Sequence, residues 1–365
     1  MESWPAATLV AIAGGLGGIA LGLAARLGRF CTLAAIEDAM FGDDRRRLRM
    51  WALAAAIAIV GTAFSHMFGF VDVSRSLYHR LALNPVAWVI GGLLFGIGMA
   101  FCGTCAYGTL ARIGGGDLRA LFVFIILGIS SYMAIAGPTA LLRTATLNNL
   151  ALDHSTTTPR TLIDLMTHDA PTHDASVSSI AISIIIAALL AAWCFCSPAF
   201  RHSPRHIFWA VTVGLVIVSG WLATSLLGSD PFDPQPLASH TYSVPLGRTL
   251  IFFMTMSSAS LTFGIGATLG VVFGAFLGAL IKGDFRWEAA DDAREMRRHL
   301  LGAFLMGTGG VFAGGCTIGQ GLSAASLLAV SAPVVMLSIW CGVWLGLTYL
   351  MEGSFTGALR HLAGR

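Results

Sequence analysis

The chain has 365 residues, of which 56% are hydrophobic and only 11% charged, and its formal net charge is +3. A soluble domain carries about 25% charged residues because its surface must be solvated, so this composition excludes a soluble globular protein. The small, dispersed charge gives no reason to expect a nucleic-acid partner. Repeated apolar runs close to the roughly 20 residues that span a bilayer predict an all-α, polytopic membrane protein.

The apolar spans can be placed in chain order. They are predicted at residues 4–25, 50–70, 85–101, 118–137, 179–197, 207–227, 249–281 and 334–351. The run 249–281 is too long for one crossing, and we expect two helices that meet near Gly264. The short segment between Arg29 and Phe41 is expected to be a broken or re-entrant piece. The basic run Asp43–Arg49 that follows is predicted to lie in the cytoplasm by the positive-inside rule.

Two of these spans carry a glycine at every fourth residue. The glycines are Gly14, Gly18 and Gly22 in the first span, and Gly266, Gly270, Gly274 and Gly278 in the run 249–281. Small residues at this spacing line one helical face and let another backbone approach closely. We therefore expect these faces to serve helix packing.

A long polar stretch divides the chain. Residues 143–178 are predicted to form a solvated loop between an N-terminal half, 1–142, and a C-terminal half, 179–365. The loop contains the sequence HDAPTHDA, whose histidine spacing matches no standard metal-ligand pattern, so metal binding is only a minor alternative. A second charged segment, 282–298, contains five basic and five acidic residues. Its side of the membrane does not follow from charge.

The most informative feature is a glycine- and cysteine-rich motif that occurs twice. Residues 91–110 read GGLLFGIGMAFCGTCAYGTL, and residues 302–321 read GAFLMGTGGVFAGGCTIGQG. In an ungapped register, seven residues of the first recur in the second: Gly91, Gly96, Gly98, Phe101, Gly103, Cys105 and Gly108 as Gly302, Gly307, Gly309, Phe312, Gly314, Cys316 and Gly319. Interrupted helices at matching positions of two repeats point to a transporter site at the repeat interface. The motif thus predicts two pseudo-symmetric, inverted halves that form a central neck.

The duplicated cysteines have a chemical interpretation. Glycines beside Cys105 and Cys316 let the backbone bend, and a short helix beginning after each cysteine would direct free N–H groups and a positive dipole end towards the thiol. Such a site attracts a small anion. Cys194, Cys196 and Cys341 lie in ordinary apolar spans and are expected only to pack.

Other functions remain open at this stage. Cys102 and Cys105 form a Cys-x-x-Cys pair, so one alternative is a membrane thiol redox enzyme or sulfurtransferase; another is a structural subunit whose cysteines only pack. Because the repeat counterpart of Cys102 is Ala313, Cys102 is a secondary candidate. No nucleotide-binding loop occurs in this chain. We expect no cofactor, no resident metal and no catalytic residue.

The segments GTGGVFAGGCTIGQG, FGIGMAFCGTCAYG and GRFC resemble the YeeE/YedE sulfur-transport family, whose members include bacterial thiosulfate importers. The resemblance covers both halves and implies a helical bundle pinched at a neck that three required cysteines line. By motif these are Cys31, Cys105 and Cys316. The secondary candidates near them are Cys102, Arg29, Arg112, Gly315 and Thr317. This sequence departs from the family pattern in its Cys-Gly-Thr-Cys and in its long polar loop.

The resemblance also implies a substrate and a location. The expected function is uptake of thiosulfate, or a related small sulfur-containing anion, across a bacterial inner membrane. A cytoplasmic sulfur-carrier protein of the TusA type is an expected partner, besides the lipid bilayer. A selenium compound is the alternative substrate.

Overall fold

The computed structural model describes residues 5–80, 83–151, 161–167, 177–230, 234–257, 259–289 and 292–353. Within these ranges the regular elements are helices, and the only β-type pairings are two isolated bridges. The α-helices are α1 (Ala6–Arg26), α2 (Thr32–Phe41), α3 (Arg46–Met67), α4 (Leu77–Arg80), α5 (Pro85–Cys102), α6 (Ala106–Gly114), α7 (Leu118–Ala136), α8 (Pro138–Leu142), α9 (Leu162–Thr167), α10 (Val177–Phe195), α11 (Pro198–Arg201), α12 (Pro204–Leu227), α13 (Ser243–Met254), α14 (Phe263–Lys282), α15 (Ala293–Phe312) and α16 (Ser331–Glu352).

The expectation of a polytopic α-helical membrane protein is confirmed. Seven helical stretches in the described part of the chain are long and apolar enough to cross a membrane. Helix α5 ends at Cys102 and α6 starts again at Ala106, so the predicted interruption is present. The short helix α2 lies where a broken or re-entrant piece was expected. The HDAPTHDA sequence lies outside the described residues.

One predicted boundary was wrong. The run 249–281 does hold parts of two helices, but they do not meet near Gly264. Helix α13 ends at Met254 and α14 begins at Phe263, which places Gly264 in the first turn of α14. The segment between the two helices reads TMSSASLT. Its serines and threonines marked the break, but they carry no charge, so the whole run 249–281 was taken as apolar.

The glycine faces of α1 and α14 pack against each other. A Cβ on Gly18 would lie 3.0 Å from the Cα of Gly270 and 3.0 Å from the nitrogen of Val271. Gly14 lies beside Phe263 and Gly22 beside Gly274, so the two helices run parallel. The expected packing role of the glycines is confirmed, and it is fulfilled within one chain.

The motif helices α5 and α15 also contact each other through glycine, but they run antiparallel. A Cβ on Gly91 would lie 2.8 Å from the Gly309 carbonyl oxygen, and one on Gly302 would lie 2.8 Å from the Gly98 oxygen. In the repeat register Gly91 corresponds to Gly302 and Gly98 to Gly309, so the two contacts are reciprocal. A reciprocal antiparallel contact is what an inverted repeat requires, and it supports that prediction.

Most of the charged loops lie on one face of the bundle. Arg26, at the end of α1, forms a 3.0 Å ion pair with Asp284 of the charged connector, and Arg119 at the start of α7 pairs with Glu288 at 3.1 Å. Arg205 donates to the Leu27 carbonyl. Gly28 and Arg205 line a cavity with Arg46 of the basic run. The described parts of the connector, 282–289 and 292–298, therefore share the face that the positive-inside rule predicts to be cytoplasmic. We call this the basic face.

The α1–α14 contact can be tested with neighbouring glycines. We expect Gly18→Ala to lower the melting temperature of the purified protein in detergent, because overpacking a tight contact costs about 1–3 kcal/mol. Gly15→Ala is the matched control, since its Cβ would sit 3.6 Å from its nearest neighbour on another helix, the Gly266 oxygen. Alanine favours a helix over glycine by about 1 kcal/mol, so this control should match or exceed the wild type. Equal melting temperatures for the two variants would contradict the packing.

Candidate functional site

Both halves of the chain break their motif helix with the same backbone geometry. Gly103 and Gly314 occupy matching positions of the repeat and both adopt left-handed φ angles, 63° and 71°. In each half the next residue donates its N–H to a carbonyl five residues earlier, which is the Schellman arrangement of a helix end. These bonds join Thr104 to Met99 at 3.2 Å and Gly315 to Gly310 at 2.8 Å.

A helix restarts directly after each motif cysteine. Cys105 is the N-cap of α6 and its sulfur accepts the N–H of Gly108 at 3.4 Å. Cys316 precedes a helical segment at 317–326, of which Gly319–Ala324 has π-helical hydrogen bonding. The Cys316 sulfur accepts the N–H of Gly319, also at 3.4 Å. The predicted direction of helix N–H groups towards each thiol is confirmed.

Two further helices begin beside these cysteines. Cys31 is the N-cap of α2, and Tyr242 is the N-cap of α13. The Tyr242 N–H lies 3.3 Å from the Cys316 sulfur. The start of α13 was not found from the sequence. The other two breaks were recognised by their glycine–cysteine motif, and no such motif occurs at Tyr242. Four helix N-termini, each with a positive dipole end, therefore converge on one region.

The three cysteines are neighbours in that region. The Cys105 thiol interacts electrostatically with Cys31 and Cys316 and lies beside the hydroxyl of Thr317. Cys105 and Cys316 are fully buried, whereas Cys31 is only half-buried and its side chain does not cap α2. The fold thus brings together three thiols that the sequence separates by 74 and 211 positions. We call Cys31, Cys105 and Cys316 the cysteine cluster.

Buried aromatic side chains form one wall of the cysteine cluster. The rings of Tyr107 and Tyr242 lie 5.7 Å apart, and both are fully buried. The Tyr107 hydroxyl donates to the Leu21 carbonyl at 2.5 Å, and the Tyr242 hydroxyl is 3.3 Å from Nδ1 of His240. Sequence reasoning missed this wall. Its one available signal was that Tyr107 lies two residues after a motif cysteine.

Arginines lie in two open cavities on the basic face. Arg29, exposed and in a left-handed conformation with φ 54°, lines a cavity of about 370 Å³ together with Arg46 and Asp44. The hydrogen bond from Arg46 holds the pKa of the Asp44 carboxyl below its usual range. Arg112 lines a second cavity of about 720 Å³, and its guanidinium donates to the Gly103 carbonyl at 2.5 Å. Arg29 thus lies two residues before Cys31, and Arg112 contacts the carbonyl of the residue two positions before Cys105.

The remaining candidates occupy different positions. Gly315 and Thr317 flank Cys316 directly and are buried. The thiol of Cys102 donates to the His299 carbonyl on α15 at 3.2 Å, while the Cys105 sulfur is capped by its own helix. Cys102 is thus engaged with α15. Cys194 is buried and donates to the Arg49 carbonyl at 3.2 Å, and Cys196 and Cys341 are exposed on the apolar surface.

Taken together, the fold defines a polytopic helical membrane protein with interrupted helices that start at buried thiols. The sulphur transport family matches residues 27–345, and the chain belongs to this family. The resemblance drawn from the motifs is confirmed.

Two relatives align over nearly their full length. One is the thiosulfate transporter TsuA of Escherichia coli strain K12, 25% identical over 353 residues that cover 93% of this chain and 92% of that protein. The other is the thiosulfate transporter TsuA of Spirochaeta thermophila, 24% identical over 334 residues, or 90% of this chain and 95% of that protein.

The helix break before Cys105 gives a prediction. A left-handed conformation costs an L-residue with a Cβ about 1–2 kcal/mol. A Cβ on Gly103 would meet nothing closer than Arg112 at 3.8 Å, so only the backbone strain is tested. We expect Gly103→Ala to lower the unfolding midpoint in detergent, and Gly103→Asn to lower it less because asparagine tolerates this conformation. An alanine variant as stable as the asparagine variant would contradict the assigned geometry.

Proposed function

We propose that the protein imports thiosulfate, or a closely related sulfur oxyanion, across a bacterial inner membrane. The observation that carries the proposal is the convergence of four helix N-termini on the cysteine cluster. Each N-terminus offers free N–H groups and a positive dipole end, which together bind anions without a fixed cation. The names of the two relatives support thiosulfate as the anion.

The anion passes the three thiols in a set order. Cys316 contacts Tyr242 and Thr241, which follow the end of α12 that lies away from the basic face. Cys105 interacts with both other cysteines, and Cys31 follows Arg29 at the basic-face cavity. The proposed order is therefore Cys316, then Cys105, then Cys31, from the outer face to the cytoplasm.

Transfer between the thiols uses weak contacts. An S–H group is a weak donor, so an anion that moves from one thiol to the next meets several shallow sites. Serial weak sites suit permeation because a single tight site would hold the ion. Arg29 and Arg112 then attract the anion towards the basic-face cavities. A cytoplasmic TusA-like carrier protein is the proposed partner on that face.

The proposal predicts a pattern of cysteine substitutions. Cys31→Ala, Cys105→Ala and Cys316→Ala should each reduce thiosulfate uptake by about tenfold or more, the expected effect of losing one hydrogen bond to a charged group. Cys196→Ala and Cys341→Ala are matched controls and should transport normally, because both side chains are exposed away from the cluster. Uptake of labelled thiosulfate by cells, and growth on thiosulfate as sole sulfur source, measure the effect.

Three outcomes would contradict the proposal or favour another function. Normal uptake by both Cys105→Ala and Cys316→Ala would overturn the proposed pathway. A redox enzyme or sulfurtransferase predicts that Cys102→Ala is as damaging as Cys105→Ala and that a reductant changes activity. Stronger inhibition of thiosulfate uptake by a selenium oxyanion than by unlabelled thiosulfate would assign the selenium alternative.

A further inference from the structure

The backbone carbonyls between α15 and Cys316 need hydrogen-bond donors from outside α15. The last four carbonyl oxygens of a helix have no N–H donor within that helix. At membrane depth no bulk water is present to bond them, so protein groups must do so. The carbonyl of Ala313, the C-cap of α15, is such a group.

Gln320 supplies that partner. Its side-chain amide nitrogen donates to the Ala313 oxygen at 2.9 Å, and its amide oxygen accepts the hydroxyl of Ser331 at 3.1 Å. The side chain is 1% exposed, so both bonds are shielded from solvent. The backbone N–H of Gln320 also donates to the Cys316 carbonyl at 2.8 Å. One residue thus holds the chain on both sides of the cysteine and ties it to the start of α16.

In the first half a different group bonds the helix break, one repeat position further along the chain. There the break is held by Arg112, which donates to the Gly103 carbonyl from the exposed basic face. Thr109, the repeat counterpart of Gln320, reaches only the Cys105 carbonyl, at 3.0 Å. A guanidinium in the closed surroundings of Gln320 would carry a large desolvation cost. The buried break therefore has a neutral amide, and the solvent-facing break has a cation.

We infer that Gln320, supported by Ser331, is the positioning residue for Cys316. It holds the Ala313–Cys316 loop in the conformation in which the Cys316 sulfur accepts the N–H groups of Gly319 and Tyr242. Among the described residues, the Cys316 sulfur has hydrogen-bond partners in Thr241, Tyr242 and Gly319, so Gln320 acts on it through the backbone. The inference rests on the proposed function, in which Cys316 meets the anion.

The test compares Gln320→Met with Gln320→Glu in proteoliposomes that take up labelled thiosulfate. Methionine has a similar shape and no hydrogen bonds, and uptake should fall about tenfold at every pH, the effect of leaving one buried acceptor unsatisfied. A neutral carboxylic acid can donate to Ala313 and still accept from Ser331, whereas the ionised form only accepts. A carboxyl in a closed site can stay neutral up to about pH 8–9. Uptake by Gln320→Glu should therefore be low near about pH 9.5 and recover towards the wild-type rate near about pH 5.5.

Other titrating groups need a control. Cys316 lies in the same loop, Tyr78 bonds the Gly319 carbonyl, and the His240 carbonyl accepts from Ser323. The wild type and Gln320→Met, measured over the same pH range, contain all three groups. Their pH profiles are subtracted from that of Gln320→Glu.

A serine pair gives a second, independent readout. Ser331→Ala removes the support for Gln320 and should reduce uptake about threefold, as expected for one neutral hydrogen bond. Ser338→Ala is the matched control on the same helix, since Ser338 is equally buried and bonds only the Val334 carbonyl of its own helix at 2.8 Å. Its uptake should equal that of the wild type.

Wild-type uptake by Gln320→Met, or a Gln320→Glu profile that follows the wild type at every pH, would overturn the inference. If Gln320→Met does not fold, the reversible pH profile of Gln320→Glu decides alone. Cys316→Ala measured in parallel separates the two proposals. If it is impaired while Gln320→Met is normal, only the positioning role fails; if Cys316→Ala is normal, the thiol pathway itself fails.

Discussion

Backbone groups that leave a helix inside the membrane must find a protein partner, because no bulk water reaches them. Four helices begin around the cysteine cluster: α2, α6, α13 and the 317–326 helix. The constraint therefore applies to the free N–H groups of all four. The sulfur atoms of Cys105 and Cys316 each accept one N–H group of these helix starts. In the proposed function, the same N–H groups stabilise the fold and attract the anion.

Glycine permits this arrangement in two separate ways. In α1, α14, α5 and α15 it allows backbones to approach so closely that the bundle is held by van der Waals contact. At Gly103 and Gly314 it allows a left-handed turn that ends one helix and leaves room to start another. The thiols contribute little to either role. Under the proposed function, packing and substrate contact are thus assigned to different residues within one short motif.

Much of this could be predicted from the sequence. The membrane spans follow from hydropathy, and the duplicated motif predicts both interruptions because glycine and cysteine mark them in each half. The break between α13 and α14 was misplaced, although the serines and threonines of 255–262 are typical of a loop, because only charge and proline were taken as signs of an interruption. Tyr242 and Gln320 were missed for a related reason: their roles depend on which carbonyl or sulfur faces them, and those partners are set by packing.

The sequence by itself determined that this is a membrane protein with a duplicated glycine–cysteine motif, because hydropathy and repeated residues are local properties of the chain. The tertiary structure decided the rest. It brought Cys31 beside Cys105 and Cys316, added the start of α13 as a fourth helix N-terminus, and placed the described parts of the connector 282–298 on the basic face. These features depend on contacts between residues far apart in the chain, and only the packing of whole helices specifies such contacts.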